Sequence, residues 1–122
     1  MAQYEVLRKS RDLDRVFQHG RWRRAGAVSV GVLRGEEDRA ARVAFVAGRG
    51  IGNAVKRNRA RRRLREALRT VSLELAAGAD IVLLARGDTG EVAFAQLQAE
   101  IRDALLRLHG AIEGAPARDG AP

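Results

Sequence analysis

Apolar residues in this chain recur at two periods, and the switch between them marks its elements. Ala60, Leu64, Ala67, Leu68 and Val71 fall at i, i+4, i+7, i+8 and i+11, a narrow stripe along one helix. Asn53 is placed to cap that helix and Gly78 to end it. Phe94, Leu97, Ile101, Leu105 and Leu108 repeat at i, i+3, i+7, i+11 and i+14, which predicts a second amphipathic helix over 94–108. Residues 10–20 read as a shorter one, with Ser10 as N-cap, Asp12 in the first turn and Gly20 at C′. Leu13, Val16 and Phe17 are its apolar face and are expected to anchor in a core. Alternation takes over elsewhere. Val28, Val30 and Val32 mark a strand over Ala27–Leu33, and Arg42–Ala47 reads as another. The polar turn Gly35–Arg39 between them predicts an antiparallel hairpin. Gly31 inside the first strand suggests a close approach of other backbone. Arg21–Arg24 is expected as a short edge strand, and Asp80–Ala85, apolar throughout after Asp80, as a strand buried on both faces.

The order helix, three strands, helix, strand, helix predicts an α/β (α+β) two-layer sandwich forming one domain over residues 1–109. The stretch GAIEGAPARDGAP, residues 110–122, is expected to be a disordered tail.

Charge changes this picture at one place. Residues 49–69 hold nine basic side chains and one acid, Glu66. On the helix with the apolar stripe, Lys56, Arg59, Arg61, Arg62, Arg63, Arg65 and Arg69 spread over the remaining arc, and Arg57 lies at the stripe's edge. Arg57, Arg61, Arg65 and Arg69 form a ladder of like charges at i,i+4, each step costing about 0.2–0.5 kcal/mol. Cations in the first turns also oppose the helix dipole. A solvated helix gains nothing from this. A polyanion lying along it would reverse the sign, so a nucleic-acid interface is the reading adopted. The bland alternative is an exposed face in an Arg-rich chain, but Arg-rich coding does not explain the local lack of acids.

Composition limits the rest. The formal net charge is +8 over 122 residues, which points to nucleic acid or an anionic surface. No apolar run reaches the roughly 20 residues of a membrane span, and the N-terminus lacks the apolar segment of a secretory signal. With no Cys there is no disulfide or thiolate chemistry, and a cytoplasmic protein with no membrane partner is the simplest expectation. The acids are scattered on turns and solvent faces. Glu36, Glu37 and Asp38 read as a solvated turn rather than a metal site. His19 and His109 sit at helix ends, in no metal-ligand spacing. The glycine-rich loop Gly48–Gly52 matches no phosphate-binding signature, because Lys56 is not followed by Ser or Thr. Trp22, set among arginines, reads as cover for the core, with stacking on a base as the alternative. No catalytic residue is identified, so any chemistry belongs to a partner.

The run RGIGNAVKRNRARRRLREAL over residues 49–68, with LRKSRDLDRVFQHGR over 7–21 and DIVLLAR over 80–86, resembles the protein component of bacterial ribonuclease P. The resemblance covers roughly residues 7–108. It implies a parallel crossover of left-handed sense through the Arg-Asn-Arg helix, against the usual rule. It implies two RNA partners, the catalytic RNA of ribonuclease P and the 5′ leader of precursor tRNA, and no protein partner. Mg²⁺ would be the cofactor, held mainly by the RNA, and a protein metal site is left unknown. By position, Arg57, Asn58, Arg59, Arg61, Arg62 and Arg65 match the signature. With Arg49, Lys56 and Arg69 they make the expected RNA-binding set. Phe17 matches an aromatic of a leader cleft between the first helix and the sheet. Leu13 and Gly31 fall where the family often has aromatics, which removes stacking surface, and Gly50 falls where it often has a second basic residue. Rival readings are a ribosomal-type RNA-binding protein, an autonomous nuclease and a DNA-binding helix protein. The last two lack an acid cluster and helix-turn-helix spacing respectively.

Overall fold

The most apolar strand takes the middle of the sheet. The computed structural model describes residues 4–36, 38–71 and 73–113. In chain order the elements are β1 (Glu5–Val6), α1 (Ser10–His19), β2 (Arg21–Ala25), β3 (Val28–Arg34), β4 (Arg42–Val46), a 3₁₀ turn (Arg49–Ile51), α2 (Ala54–Thr70), β5 (Leu73–Leu75), β6 (Ala79–Ala85), α3 (Phe94–Arg107) and β7 (Ala111–Glu113). Five strands form one mixed sheet in the order β1-β4-β6-β3-β2, and β5 pairs with β7 in a separate ribbon.

The expected hairpin between the two valine-rich strands does not form. β6 lies between them, antiparallel to β3 and parallel to β4, and the antiparallel hairpin is β2–β3. Two forces favour this arrangement. Ile81, Val82 and Leu83 are fully buried, which only a central position allows. Asp80 sits opposite Arg42 in the β4–β6 register and accepts from its guanidinium at 2.8 and 2.7 Å. Residues 35–41 have ample reach to step over one strand, since neighbouring strands lie only about 5 Å apart.

The mixed α+β architecture is as expected, but its helices are divided between the two faces, so the sheet is sandwiched rather than being one of two layers. On one face the predicted stripe of α2 meets α3. Ala60, Leu64, Ala67 and Leu68 of α2, and Leu97, Ile101 and Leu105 of α3, are fully buried with Val28, Val30, Val43, Ile81 and Leu83. Each such Leu or Ile contributes about 1.5–3 kcal/mol relative to exposure. On the other face α1 covers a smaller cluster of Leu7, Val16, Ala44 and Val82, with Leu13, Trp22, Leu33, Val46 and Leu84 around it.

Local signals held at some termini and failed at others. Asn53 caps α2, its side-chain oxygen accepting from the Lys56 N–H at 3.0 Å. Ser10 does not cap α1: it is the first helical residue, and Lys9 occupies the cap position without a side-chain bond. Gly20 is extended rather than left-handed. A Cβ there would lie 2.6 Å from the Val16 carbonyl, so close approach, not positive φ, requires the glycine. α2 stops at Thr70, well before Gly78, which adopts φ +78° in the turn entering β6. Ala111–Glu113, within the stretch expected as a disordered tail, pair with β5. The rest of the expected tail, 114–122, lies outside the described residues, as do Glu37 and Ser72.

Candidate nucleic-acid interface

The basic wall is α2 itself, and most of its arginines are braced by the protein. Arg57, half-buried at the edge of the stripe, donates to the Gly52 carbonyl at 3.0 Å. Arg59 Nε donates to the Gly90 carbonyl at 3.1 Å, and Arg63 donates to the carbonyls of Thr89 at 3.0 Å and Val92 at 2.6 Å. These bonds bolt α2 to the loop between β6 and α3. That loop is itself fixed by the fully buried Thr89, whose hydroxyl donates to the Ala27 carbonyl at 2.5 Å. Arg61 donates to Asn58. Arg65 lies over the Phe45 ring, 5.2 Å from its centroid, and Phe45 meets Tyr4 edge-on at 5.9 Å. Burial pushes the Tyr4 hydroxyl above its ordinary pKa, with the Arg65 charge opposing.

Acids contribute almost nothing here. Among the described residues only Arg69 of the set pairs with a carboxylate, Glu66, whose pKa is lowered chiefly by that hydrogen bond. The side chains of Arg49, Lys56 and Arg62 make no hydrogen bond or ion pair with the described residues, and all three are exposed. A guanidinium has five donors, so an arginine bolted by one or two bonds still presents the others at a fixed angle.

On the α1 face, the paired strands line up in rows. Trp22, Gly31, Val82 and Ala44 share one row, and Arg24, Ser29, Leu84 and Val46 the next. Leu13 is half-buried against the small cluster. Phe17, expected in a core, is 45% exposed instead. It stacks on Trp22 with centroids 5.0 Å apart and planes 27° apart. Gly31 meets no foreign backbone, because the indole of Trp22 occupies the space above it. The second row opens into a groove lined by Arg24, Leu84, Arg86 and the glycines 48, 50 and 87. A Cβ at any of these three glycines would meet nothing. Ile51 and Gly87 also line the adjoining pocket with Lys56 and Arg59, and Arg59 lines a third with Val55, Arg62 and Arg63. The pockets therefore run from Arg24 and the end of β6, past the glycine turn, to the open side of α2.

Arg24, Arg63 and Arg86 were not among the expected site residues. The alternation in RWRR already puts Trp22 and Arg24 on one face. Nothing in the sequence reveals that Arg63 is a clamp, which depends on the loop it meets. Asp12 and Asp80 are not solvent-facing acids. Asp80 is 3% exposed and is gripped by Arg39 and Arg42, and Asp12 accepts from Arg42 at 3.1 Å. The Asp80 hydrogen bond is the main reason the Arg42 pKa is raised further. Among the described residues no cluster of three His, Asp or Glu is placed to hold a metal ion, and no helix is long and apolar enough to cross a membrane.

The family model described as Ribonuclease P matches residues 1–109. The ribonuclease P protein component of Roseiflexus castenholzii is 37% identical over 117 residues, covering 93% of this chain and 95% of its own. That of Ruegeria pomeroyi is 42% identical over 110 residues, covering 85% and 86%. The solved ribonuclease P protein from Thermotoga maritima superposes with a TM-score of 0.69 at 27% identity, covering 90% of this chain and 99% of that one.

Proposed function

The chain belongs to the ribonuclease P protein family, and from that premise we propose that its α2 wall binds the catalytic RNA of ribonuclease P while the groove beside α1 holds the single-stranded 5′ leader of precursor tRNA. The observation that carries this reading is the nearly acid-free wall of cations, several of them braced by carbonyls and Arg49, Lys56 and Arg62 without a hydrogen-bond or ion-pair partner among the described residues. Braced guanidinium groups lose little further freedom on meeting a phosphate, and bidentate contact suits them to that oxygen geometry. Asn58 adds an amide that reaches a sugar or base edge. Most of these contacts would be to backbone, which positions an RNA without reading its sequence.

The protein's own part is binding and orientation. Asp12 and Asp80 are committed to arginines, and the RNA would hold the Mg²⁺, which would supply activation of water at the scissile phosphodiester. The chain would lower the Mg²⁺ demand by neutralising phosphates near that site and by holding the leader in register.

The test is cleavage of precursor tRNA at low Mg²⁺ by a catalytic ribonuclease P RNA with and without the protein. Stimulation that requires the RNA is expected. Cleavage by the protein alone, or no stimulation, contradicts the proposal.

A further inference from the structure

Arg63 stands apart from the rest of the wall. It is half-buried beside the apolar stripe of α2, while Arg59 and Arg62 are exposed. Its guanidinium is spent on the protein. It donates to the carbonyls of Thr89 at 3.0 Å and Val92 at 2.6 Å. Its central carbon lies 5.9 Å from the centroid of the Phe94 ring, at the start of α3. An aliphatic side chain at this border would pack on Phe94 too, but would donate nothing to the loop.

The two carbonyls that Arg63 grips lie on either side of Gly90, and the Gly90 carbonyl accepts from Arg59 Nε at 3.1 Å. The loop between them is a closed turn, since the N–H groups of Glu91 and Val92 both donate to the Asp88 carbonyl. Thr89 is moored from the other side by its hydroxyl, on the Ala27 carbonyl. Arg59 therefore takes its aim from the turn. With Nε tied, the side chain is held, and its remaining N–H groups are left for a phosphate. Arg59 lines both the pocket it shares with Lys56 and the one it shares with Arg62, so its aim matters to the middle of the open wall. Like charges one turn apart repel, and here both are turned onto carbonyl oxygens instead.

We propose that Arg63 is a positioning residue: it touches no RNA, and it raises affinity for the RNA by holding the turn whose Gly90 carbonyl aims Arg59. This rests on the reading of α2 as the face for the catalytic RNA and adds a residue that serves that face through another.

The experiment measures binding of the full chain to a catalytic ribonuclease P RNA at about 0.15 M salt, where a charge more than about 8 Å from a phosphate is largely screened. Arg59→Ala should weaken binding by about 10-fold, as for a lost charge-assisted hydrogen bond. Arg63→Met keeps an apolar stem without either bond and should weaken it by about 5-fold. Added to Arg59→Ala, it should change affinity by less than about 2-fold, because the residue it acts through is already gone. Arg63→Lys keeps the charge without the planar fork. Across the two Arg63 variants, affinity should follow the amide-exchange protection of residues 88–92 and not the charge. Thermal melts establish that each variant is folded, and Arg63→Lys carries the test if Arg63→Met is not. If the wild-type chain does not bind the RNA, the wall reading fails and the positioning role with it. The positioning role alone is overturned if the chain binds but Arg59→Ala or Arg63→Met has no effect. It is equally overturned if Arg63→Met costs as much in the Arg59→Ala chain, or if Arg63→Lys restores affinity without restoring protection of the loop.

Discussion

The two faces of the sheet are held by different forces. Behind it, α2 and α3 interlock through leucines, isoleucine and alanines that are fully buried. In front, α1 rests on a small apolar cluster and is fastened near its N-terminal end by the chain Asp12–Arg42–Asp80–Arg39. Its C-terminal half is held by the fully buried Val16, whose carbonyl accepts from Trp22 Nε1, and carries Phe17, which stacks on Trp22 and stays 45% exposed. A continuous apolar seam makes a rigid back. The smaller front cluster leaves the end of β6 uncovered, where Arg24, Leu84 and Arg86 line a groove. The contrast explains how a chain of this size can display a wall of like charge and an open aromatic pair while still folding: its stability is concentrated behind the sheet.

Substitutions should separate the two faces. Leu64→Ala removes a fully buried side chain from the packed face and should cost about 4 kcal/mol, read as the midpoint of denaturant unfolding. Asp80→Ala leaves Arg42 and Arg39 without their shared carboxylate and should cost about 3 kcal/mol, the lower end for a broken buried pair because both guanidinium groups keep contact with water. The same melt should be accompanied by loosening of α1, measured as faster amide exchange over Ser10–His19. Uniform loss of protection across α2 and α3 instead would mean that the front face is not a separate unit. Asn53→Ala removes the α2 cap bond and should cost about 1 kcal/mol, with fraying limited to the first turn.

The packed face was legible in the sequence and the open face was not, for a physical reason. The α2 stripe and the α3 repeat each run over several turns, so their period survives any local irregularity, and all their predicted residues but the half-buried Phe94 are buried. The strands' identities were legible too, but not their order. Adjacent alternating strands joined by a polar turn imply a hairpin, and only the double-sided burial of β6, together with the Asp80–Arg42 pair, displaces that solution. β1, β5 and β7, of two or three residues each, are too short to carry a period at all. Phe17 has the spacing of a core residue, and its exposure follows from where α1 ends relative to the sheet. Of the basic set, the concentration over 49–69 was visible from composition. Which arginines are braced and which are open was not, since the brace is a loop that arrives from 20 or more residues away.

The division of labour between the faces is tested most directly by the salt dependence of binding to the catalytic RNA alone, without tRNA, for Arg62→Ala and Phe17→Ala side by side. Arg62→Ala should flatten the slope of log K against log salt by about 0.7–0.9, one phosphate contact, and Phe17→Ala should leave the slope where it is. An unchanged slope for Arg62→Ala, or an equal change for Phe17→Ala, would contradict the assignment of that RNA to the α2 wall.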